Sequence, residues 1–366
     1  MKKILVIKLD HIGDLILSTP ALRSIRNSFP AAQLDVLVSA KSKGVLEKAK
    51  YIDRIYTYES RDFDRGNRID SRILAHNIAT INHIRRLEYD FCVGLREDLS
   101  NIPIQKLCGA KENISFSTNT SYSKFLDQSV ENDANKHVAE INFDLLSLLN
   151  IERPADIRPE ISFSQEDRTW AANFLKSAGI SEPCLKIGLS IGGGWYQNWW
   201  PIENFVQLGA MIKDLYGDSV ELIVVGGKAE EKLLQSFDSL AGYKYISAVN
   251  KTTILQMIAL FEQFDFVVSN DGGLMHMATA AGTPVIALFG PSPHRRFGPL
   301  GPGHTIISKN FPCSPCPQFV QGQAAKCADN QCMKQITVNE VFDVVKQYMY
   351  DSMVQLEGKS ERNDYV

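Results

Sequence analysis

Short runs of apolar residues alternate along the chain with longer stretches in which apolar residues recur at helical spacing. The short runs are bounded by glycine, proline or charged residues, which is typical of buried parallel strands. They cover residues 3–9, 34–38, 51–58, 89–95, 185–191, 222–225, 264–268 and 285–289. The helical stretches cover 15–29, 137–149, 165–178, 202–216, 229–240, 253–261, 274–281 and 337–353. This alternation predicts an α/β protein whose parallel sheets are covered by helices.

Two series of strands and helices are separated by residues 151–160, which contain Pro154 and Pro159 and are typical of a linker. Residues 112–136 are polar and irregular in pattern, and we expect a loop near the ligand cleft or a mobile lid there. The expected domains are an N-terminal Rossmann-like domain at 1–162, a C-terminal Rossmann-like domain at 163–340, and a final helix with a frayed tail at 341–366.

Composition narrows the class of protein without identifying it. The chain has 366 residues, of which 44% are hydrophobic, and this is enough to build two cores. Its formal net charge of −3 does not favour a nucleic-acid-binding protein. No apolar run reaches the roughly 18 residues of a transmembrane helix. Seven cysteines without a recognisable signal peptide favour a reducing compartment, so we expect a cytoplasmic protein and leave open a peripheral contact with the inner membrane.

Glycines follow three of the predicted strands, at 192–194, 226–227 and 272–273. A glycine turn before a helix presents bare backbone N–H groups at the positive end of the helix dipole, which suits a phosphate or diphosphate. Asp271 would accept hydrogen bonds from sugar hydroxyls, and His276 would add a donor beside the anion. The alternative is that the glycines only form turns, Asp271 only caps the helix, and His276 lies in the core.

Residues 61–86 are rich in arginine, with Arg61, Arg65, Arg68, Arg72, Arg85 and Arg86. This pattern indicates either a solvated helical surface or a basic patch that faces an anionic acceptor or a membrane. Within the segment, Asp62-Phe63-Asp64 matches the Asp-x-Asp pattern with which some glycosyltransferases hold a divalent metal, but three residues are weak evidence. Arg96, at the end of a predicted strand, is an anion contact or part of a surface ion pair.

Four cysteines lie near the C-terminus, and their C-x₂-C-x₁₀-C-x₄-C spacing comprises Cys313, Cys316, Cys327 and Cys332. Four thiolates at this spacing would hold a structural Zn²⁺ or Fe ion tetrahedrally. The alternative is a set of buried free thiols. The other three cysteines lie in or beside apolar strands and are predicted to belong to the core, namely Cys92, Cys108 and Cys184.

Three motifs resemble those of the heptosyltransferase family, glycosyltransferase family 9. They are IKLDHIGDLILSTPALR at 7–23, NDGGLMH at 270–276 with GTPV and FGP after it, and CM at 332–333 followed by Ile336. The resemblance implies the GT-B architecture, in which two Rossmann-like domains face each other across a cleft. It also implies an inverting transfer of a sugar, typically from ADP-heptose to lipopolysaccharide core or another surface glycan, with no cofactor required for catalysis.

The resemblance assigns the role of catalytic base to Asp14. Inversion is a single displacement, so one carboxylate must take the proton of the acceptor hydroxyl as the new bond forms. The alternative role of Asp14 is to cap a helix that begins at Leu15, and we expect Pro20 to bend or restart that helix. The acceptor is expected to contact Asp10, Gly13 and Arg96.

On the donor side, the resemblance implies contacts from Asp271, Gly272, Gly273, His276, Gly193, Gly194, Asn198 and Glu230. Glu231 is the alternative to Glu230, because the register after Gly226 and Gly227 fits either residue. Two of these positions depart from the family pattern, because Gly272 replaces a Ser or Thr and Asn198 replaces a lysine that meets the donor phosphates. The departures leave the enzyme class intact and the identity of the donor open. The other interpretations are a transferase that uses a different nucleotide sugar or a protein acceptor, a nucleotide-sugar epimerase of the same fold, and a nucleotide-binding module without catalysis.

Overall fold

The computed structural model describes residues 1–59, 70–96, 101–117, 123–180, 183–317 and 327–363. The chain folds into two compact units, Met1–Ser162 and Phe163–Val366. Each unit contains its own parallel sheet with helices packed on it.

In the first unit, six described strands form one parallel sheet in the order β3-β2-β1-β4-β5-β6. They are β1 (Lys3–Lys8), β2 (Gln33–Ser39), β3 (Arg54–Tyr58), β4 (Phe91–Gly94), β5 (Glu112–Ser117) and β6 (Gln128–Glu131). The helices are α1 (Ile12–Ile16), α2 (Thr19–Ser28), α3 (Ser71–Arg86), α4 (Asn101–Cys108) and α5 (Val138–Leu146). The central strand β1 is buried from Ile4 onward, because it pairs with β2 and β4 and its faces are covered.

Residues 112–136 contain β5 and β6, so the expectation of an irregular loop or lid there is wrong. The apolar pattern is hidden because β5 buries polar side chains that form hydrogen bonds to residues outside the strand. The amide of Asn113 donates to Asp127, and the hydroxyl of Ser115 donates to the carbonyl of Gly94 at 3.1 Å. The spacing of apolar residues within one segment does not indicate such partners, because they lie elsewhere in the chain.

The second unit repeats this architecture with six described strands in the order β12-β11-β10-β7-β8-β9. They are β7 (Leu185–Ser190), β8 (Val220–Val225), β9 (Ile246–Ser247), β10 (Phe266–Asn270), β11 (Val285–Phe289) and β12 (Thr305–Ser308). The helices are α6 (Gln165–Ser177), α7 (Ile202–Tyr216), α8 (Glu231–Leu240), α9 (Ile254–Phe261), α10 (Gly273–Ala280), α11 (His294–Phe297), α12 (Gln331–Lys334) and α13 (Val338–Asn363). The last helix extends ten residues beyond the predicted end at 353.

The core of the second unit is centred on Trp200, which is 1% exposed. Its ring packs edge-on against Phe205 at 5.0 Å, and its indole N–H donates to the carbonyl of Ile336 at 2.8 Å. Val341 and Val345 of α13 belong to the same apolar cluster. The C-terminal helix is therefore part of this core.

When the strands are numbered within each unit, both sheets have the order 3-2-1-4-5-6 of the doubly wound α/β fold. The prediction of two Rossmann-like parallel-sheet domains is confirmed. In such sheets ligands bind at the carboxyl ends of the strands, where the strand order reverses. The expected positions are therefore the ends of β1 and β4 in the first unit, and the ends of β7 and β10 in the second. No helix within the described ranges is both long and apolar enough to cross a membrane.

Candidate functional site

Asn270 joins the ends of β10 and β7 in the second unit. It is 1% exposed, and its side-chain amide donates to the carbonyls of Ile191 and Gly192 at 3.2 and 3.0 Å. Its side-chain oxygen accepts from the backbone N–H of Trp200 at 3.0 Å. One buried amide therefore fixes both ends of the loop 191–200 against the end of β10.

The two glycine turns at this point approach each other at backbone distance. A Cβ atom added to Gly272 would lie 3.3 Å from Gly193 Cα, and one added to Gly193 would lie 3.0 Å from the carbonyl oxygen of Asp271. The carbonyl of Gly193 also accepts from the indole N–H of Trp199 at 3.0 Å. The glycines are thus needed for the close approach of two loops as well as for the turns themselves.

Glu230 brings the loop after β8 to the same place. Its carboxylate accepts from the backbone N–H of Gly227 at 2.8 Å and from that of Gly193. Burial raises the pKa of the Glu230 carboxyl above its ordinary value, although these N–H groups favour the ionised form. The neighbouring Gly192 has no room for a larger residue, since an added Cβ would lie 2.3 Å from Glu230 Cγ.

Asp271 forms a buried polar cluster with Asn198 and Ser292. The Asn198 amide donates to a carboxylate oxygen of Asp271 at 2.9 Å and lies 3.1 Å from the hydroxyl of Ser292. Burial raises the pKa of the Asp271 carboxyl to about 6, although Ser292 favours the ionised form. The cluster is nearly closed to solvent, with exposures of 3% for Asn198 and 8% for Asp271.

The start of α10 lies directly after this cluster. Gly272 occupies the N-cap position in extended conformation and makes no side-chain cap, so the interpretation that Asp271 only caps the helix is wrong. Gly273 begins the helix, and His276 is buried in its first turn with its backbone N–H directed to the carbonyl of Gly272. The structure therefore brings Gly193, Asn198 and Glu230 together with Asp271 and Gly272, while Gly194 is exposed on the same loop.

In the first unit, Asp10 follows β1 and Arg96 follows β4, at the reversal of strand order. Lys8 is 2% exposed; its ammonium group lies 3.2 Å from the Asp10 carboxylate and donates to the carbonyl of Leu95 at 2.9 Å. The Arg96 guanidinium donates to the carbonyl of Leu9 at 2.6 Å. Burial opposes ionisation of Asp10, but the charges of Lys8 and then Arg96 outweigh it, and its pKa lies below the ordinary value.

Gly13 and Asp14 lie inside α1, whose N-cap is His11. The interpretation of Asp14 as the cap of a helix that begins at Leu15 is therefore wrong. Asp14 is half-buried, and its backbone carbonyl accepts from the hydroxyl of Ser18 at 2.8 Å. The helix predicted at 15–29 restarts at Pro20, as expected. Pro20 lies in the first turn of α2, where its missing N–H has no helical partner to lose.

Two site residues were missed by the sequence analysis. Lys8 is the charge partner of Asp10, and the signal was a lysine at the end of an otherwise apolar strand. Ser292 completes the Asp271 cluster, and it carried no signal, because its contact with Asn198 joins residues 94 positions apart.

The hypothesis of a structural Zn²⁺ or Fe site concerns the four cysteines near the C-terminus. Among the described residues, no group of three or more His, Cys, Asp or Glu side chains could hold a metal ion. Cys332 is buried on α12 near the position of Gly290, whereas Cys313 is exposed and the thiol of Cys327 contacts the carbonyl of Asp329. Cys313 and Cys327 are near enough to Cys332 to add to the effect of burial, which raises the pKa of its thiol. The structural Zn²⁺ or Fe site stays a prediction.

The arginine-rich segment is described only from residue 70 onward. Arg61, Arg65 and Arg68 and the Asp62-Phe63-Asp64 pattern lie outside the described residues. The remaining arginines of the segment, Arg72, Arg85 and Arg86, are exposed on α3.

Two doubly wound parallel sheets, with glycine turns converging at the reversal of strand order in one of them, are the fold that the resemblance to GT-B glycosyltransferases implies. The model of glycosyltransferase family 9 (heptosyltransferase) matches residues 78–327, and the chain belongs to this family. The predictions of the family and of a glycosyltransferase activity are confirmed.

Relatives and solved structures agree with this class. Lipopolysaccharide heptosyltransferase 3 of Escherichia coli is 22% identical over 290 residues, which cover 77% of this chain and 82% of that protein. The structure of a family 9 glycosyl transferase from Veillonella parvula has a TM-score of 0.81 at 20% identity and covers 96% of this chain and 98% of its own. The structure of E. coli heptosyltransferase WaaC with ADP has a TM-score of 0.71 at 17% identity and covers 94% of this chain and 99% of its own. At these identities the two structures establish the fold.

The crowding of Gly192 by Glu230 predicts that a larger residue at position 192 lowers the free energy of unfolding. Gly192→Ala would force Glu230 out of its contacts, so we expect a loss of about 1–3 kcal/mol in the free energy of unfolding. Gly194→Ala is the matched control, because an added Cβ there meets nothing within 4 Å, and we expect a change within about 0.5 kcal/mol. Urea unfolding measures both, and equal losses in the two variants would contradict the packing argument.

The raised pKa of Asp271 predicts that this carboxyl lowers the stability of the folded chain as pH rises. Between about pH 4 and 6 the folded chain binds more protons at this carboxyl than the unfolded chain, so its contribution to stability falls as pH rises through the window. Asp271→Asn removes the ionisation, and we expect it to be more stable than the wild type by on the order of 2–3 kcal/mol above pH 7 and to lose that advantage near pH 4. Unfolding free energies across this range test the trend, with the exposed Asp218→Asn as control; a difference independent of pH would contradict it.

Proposed function

We propose that this family 9 enzyme transfers a heptose from an ADP-heptose-type donor to lipopolysaccharide core or another surface glycan, with inversion at the sugar. The observation that carries the proposal is the site at the ends of β7 and β10, where two glycine turns meet at backbone distance beside the buried Asp271 cluster. The names of similar proteins support the sugar and the acceptor, and the WaaC structure with ADP supports the nucleotide.

The second unit supplies the donor site in this proposal. The diphosphate of the donor would sit at the positive end of α10, where Gly272 is the N-cap and Gly273 begins the helix. Glu230 and Asp271 would accept hydrogen bonds from hydroxyls of the ribose and of the sugar. The Asn198 amide is neutral, so the diphosphate depends on N–H groups and the helix dipole, with His276 as a further donor.

The first unit supplies the acceptor and the base. Asp10 is held ionised by the charges of Lys8 and Arg96, so it is a weak base and better suited to orienting an acceptor. Asp14 lies four residues after Asp10 and is half-buried in α1. It is the proposed general base that takes the proton of the acceptor hydroxyl. Gly13, which precedes it in α1, is a proposed acceptor contact.

The partners in this proposal are a nucleotide-diphosphate sugar and a glycolipid acceptor, and no nucleic acid. Transfer would require no cofactor, because a helix N-terminus can stabilise the charge of the leaving diphosphate. A glycolipid acceptor would bring the enzyme to the cytoplasmic side of the inner membrane as a peripheral protein.

Nucleotide selectivity tests the donor. We expect ADP to bind at least about tenfold more tightly than UDP, GDP, CMP or dTDP, since a tenfold ratio needs only one or two well-placed contacts to the base. Isothermal titration calorimetry of the purified chain measures all five. Preference for another nucleotide would sink the ADP-heptose assignment and leave the family unchanged.

Replacement of the base tests the mechanism. We expect Asp14→Asn to lower turnover of ADP-heptose with a lipopolysaccharide core acceptor by about 10²–10⁴-fold, because the acceptor hydroxyl loses its proton acceptor. ADP binding and the far-ultraviolet circular dichroism spectrum should be unchanged. Asp156→Asn, at an exposed aspartate of the same unit, is the matched control and should keep full turnover. Near-normal turnover of Asp14→Asn would overturn the assignment, and release of the nucleotide without an acceptor would favour an epimerase.

A further inference from the structure

The outward face of α3 carries apolar side chains where a helix packed on a sheet normally presents polar ones. Leu74 and Ile78 lie one turn apart on this face, and each is 53% exposed. The inward face includes Asn77, which is 4% exposed and uses its side chain to bind the backbone of Glu59 at 3.0 and 2.7 Å. The helix therefore exposes two large apolar residues that its own packing does not require.

The neighbouring helix α4 extends this surface. Ile81 and Ile84 of α3 share one apolar cluster with Cys108 of α4, so the two helices cover the same side of the sheet. Their outer faces therefore point in the same direction. The side chain of Arg85 lies next to Gly109, which follows α4, so the C-terminal ends of the helices are adjacent. Leu107, which is 57% exposed, adds a third apolar side chain.

The charge on these helices has a single sign. Residues 71–86 and 101–108 contain no aspartate or glutamate, and they carry the basic residues Arg72, Arg85, Arg86 and Lys106. The three arginines of α3 form no ion pair with any described residue. The acids that flank α3 in the chain act on other groups. Asp70 accepts from backbone N–H groups at the start of α3, and Asp90 pairs with Lys111 at 2.7 Å. Glu88, two residues after Arg86, is exposed, and its charge helps to raise the pKa of Lys111.

We propose that the outer face of α3 and α4 docks on an anionic lipid bilayer. A helix surface that combines exposed apolar side chains with arginines that form no ion pair among the described residues fits the boundary between acyl chains and negatively charged headgroups, where each cation adds to the attraction. A second copy of this chain is a poorer occupant, because a symmetric contact through this face would bring like charges together. The proposal deepens the proposed function, on which its biological meaning rests, by naming the surface through which the enzyme would reach a glycolipid acceptor.

Vesicle flotation of the full chain, without donor or acceptor, measures the docking directly. We expect binding to vesicles of phosphatidylethanolamine and phosphatidylglycerol that is at least about tenfold stronger than binding to phosphatidylcholine vesicles, and that weakens as salt is raised. Absence of binding to the anionic vesicles would overturn the proposal.

Two pairs of variants locate the surface. Leu74→Ser with Ile78→Ser should weaken binding to anionic vesicles by about tenfold or more, because both side chains lose their insertion into the acyl boundary. The matched control is Leu215→Ser with Leu240→Ser, which alters two leucines of the second unit that are 56% and 49% exposed. Equal loss in the two double variants would overturn the assignment of the face.

The cationic contribution is tested separately. Arg85→Gln with Arg86→Gln should lower both the affinity for anionic vesicles and its salt dependence, whereas Lys232→Gln with Lys244→Gln removes the same charge from exposed positions of the second unit and should change neither. A dimer seen by sedimentation and lost in Leu74→Ser with Ile78→Ser would overturn the proposal in favour of a second copy.

Transfer to a short, water-soluble acceptor separates this proposal from the proposed function. Activity on that acceptor should be the same in the wild type and in Leu74→Ser with Ile78→Ser, because docking does not take part in the chemistry. Vesicle binding in a protein that transfers no sugar would support the docking face and reject the proposed function. Sugar transfer by a protein that binds no vesicle would support the proposed function and reject the docking face.

Discussion

The second unit depends on one buried amide, that of Asn270. Its side chain satisfies two carbonyls of the loop after β7 and one N–H of the loop's far end, so the glycine turns of β7 and β10 are held at backbone distance. A buried amide that lost these partners would leave several polar groups unsatisfied, each at a cost of about 1–3 kcal/mol. The shape of the candidate donor site is therefore set by a residue that need not touch a ligand.

The two units place carboxylates in opposite electrostatic surroundings. Asp10 lies beside the buried ammonium of Lys8 and near Arg96, and its pKa is lowered. Asp271 is buried beside a neutral amide and a hydroxyl, and its pKa is raised to about 6. An aspartate is thus kept ionised in the first unit, whereas in the second unit the pKa of an aspartate is raised toward neutral pH. The difference follows from whether the neighbouring groups carry charge.

Local pattern was sufficient where apolar residues alone decide the element. The bounds predicted for α7 and β11 are those of the structure, because both elements carry an uninterrupted apolar pattern between clear stop signals. The pattern failed at β5, where polar side chains are buried on partners elsewhere in the sheet, and at α1, which Asp14 does not cap. It also gave no reason to expect that Leu74 and Ile78 of α3 are exposed, since a helical period predicts a buried face without predicting which apolar side chains stay uncovered.

The alternation of strands and helices, the two-domain α/β class and, through the motifs, the family could all be predicted from the sequence alone. These follow from the spacing of apolar residues and from short glycine turns, which are properties of neighbouring positions. The tertiary structure decided the partners of the polar groups. Asn198 meets Asp271 across 73 residues and Lys8 meets Leu95 across 87, because the strand order brings the ends of particular strands together. Hydrogen bonds and desolvation act only at such distances in space, so no local pattern in the chain could have specified them.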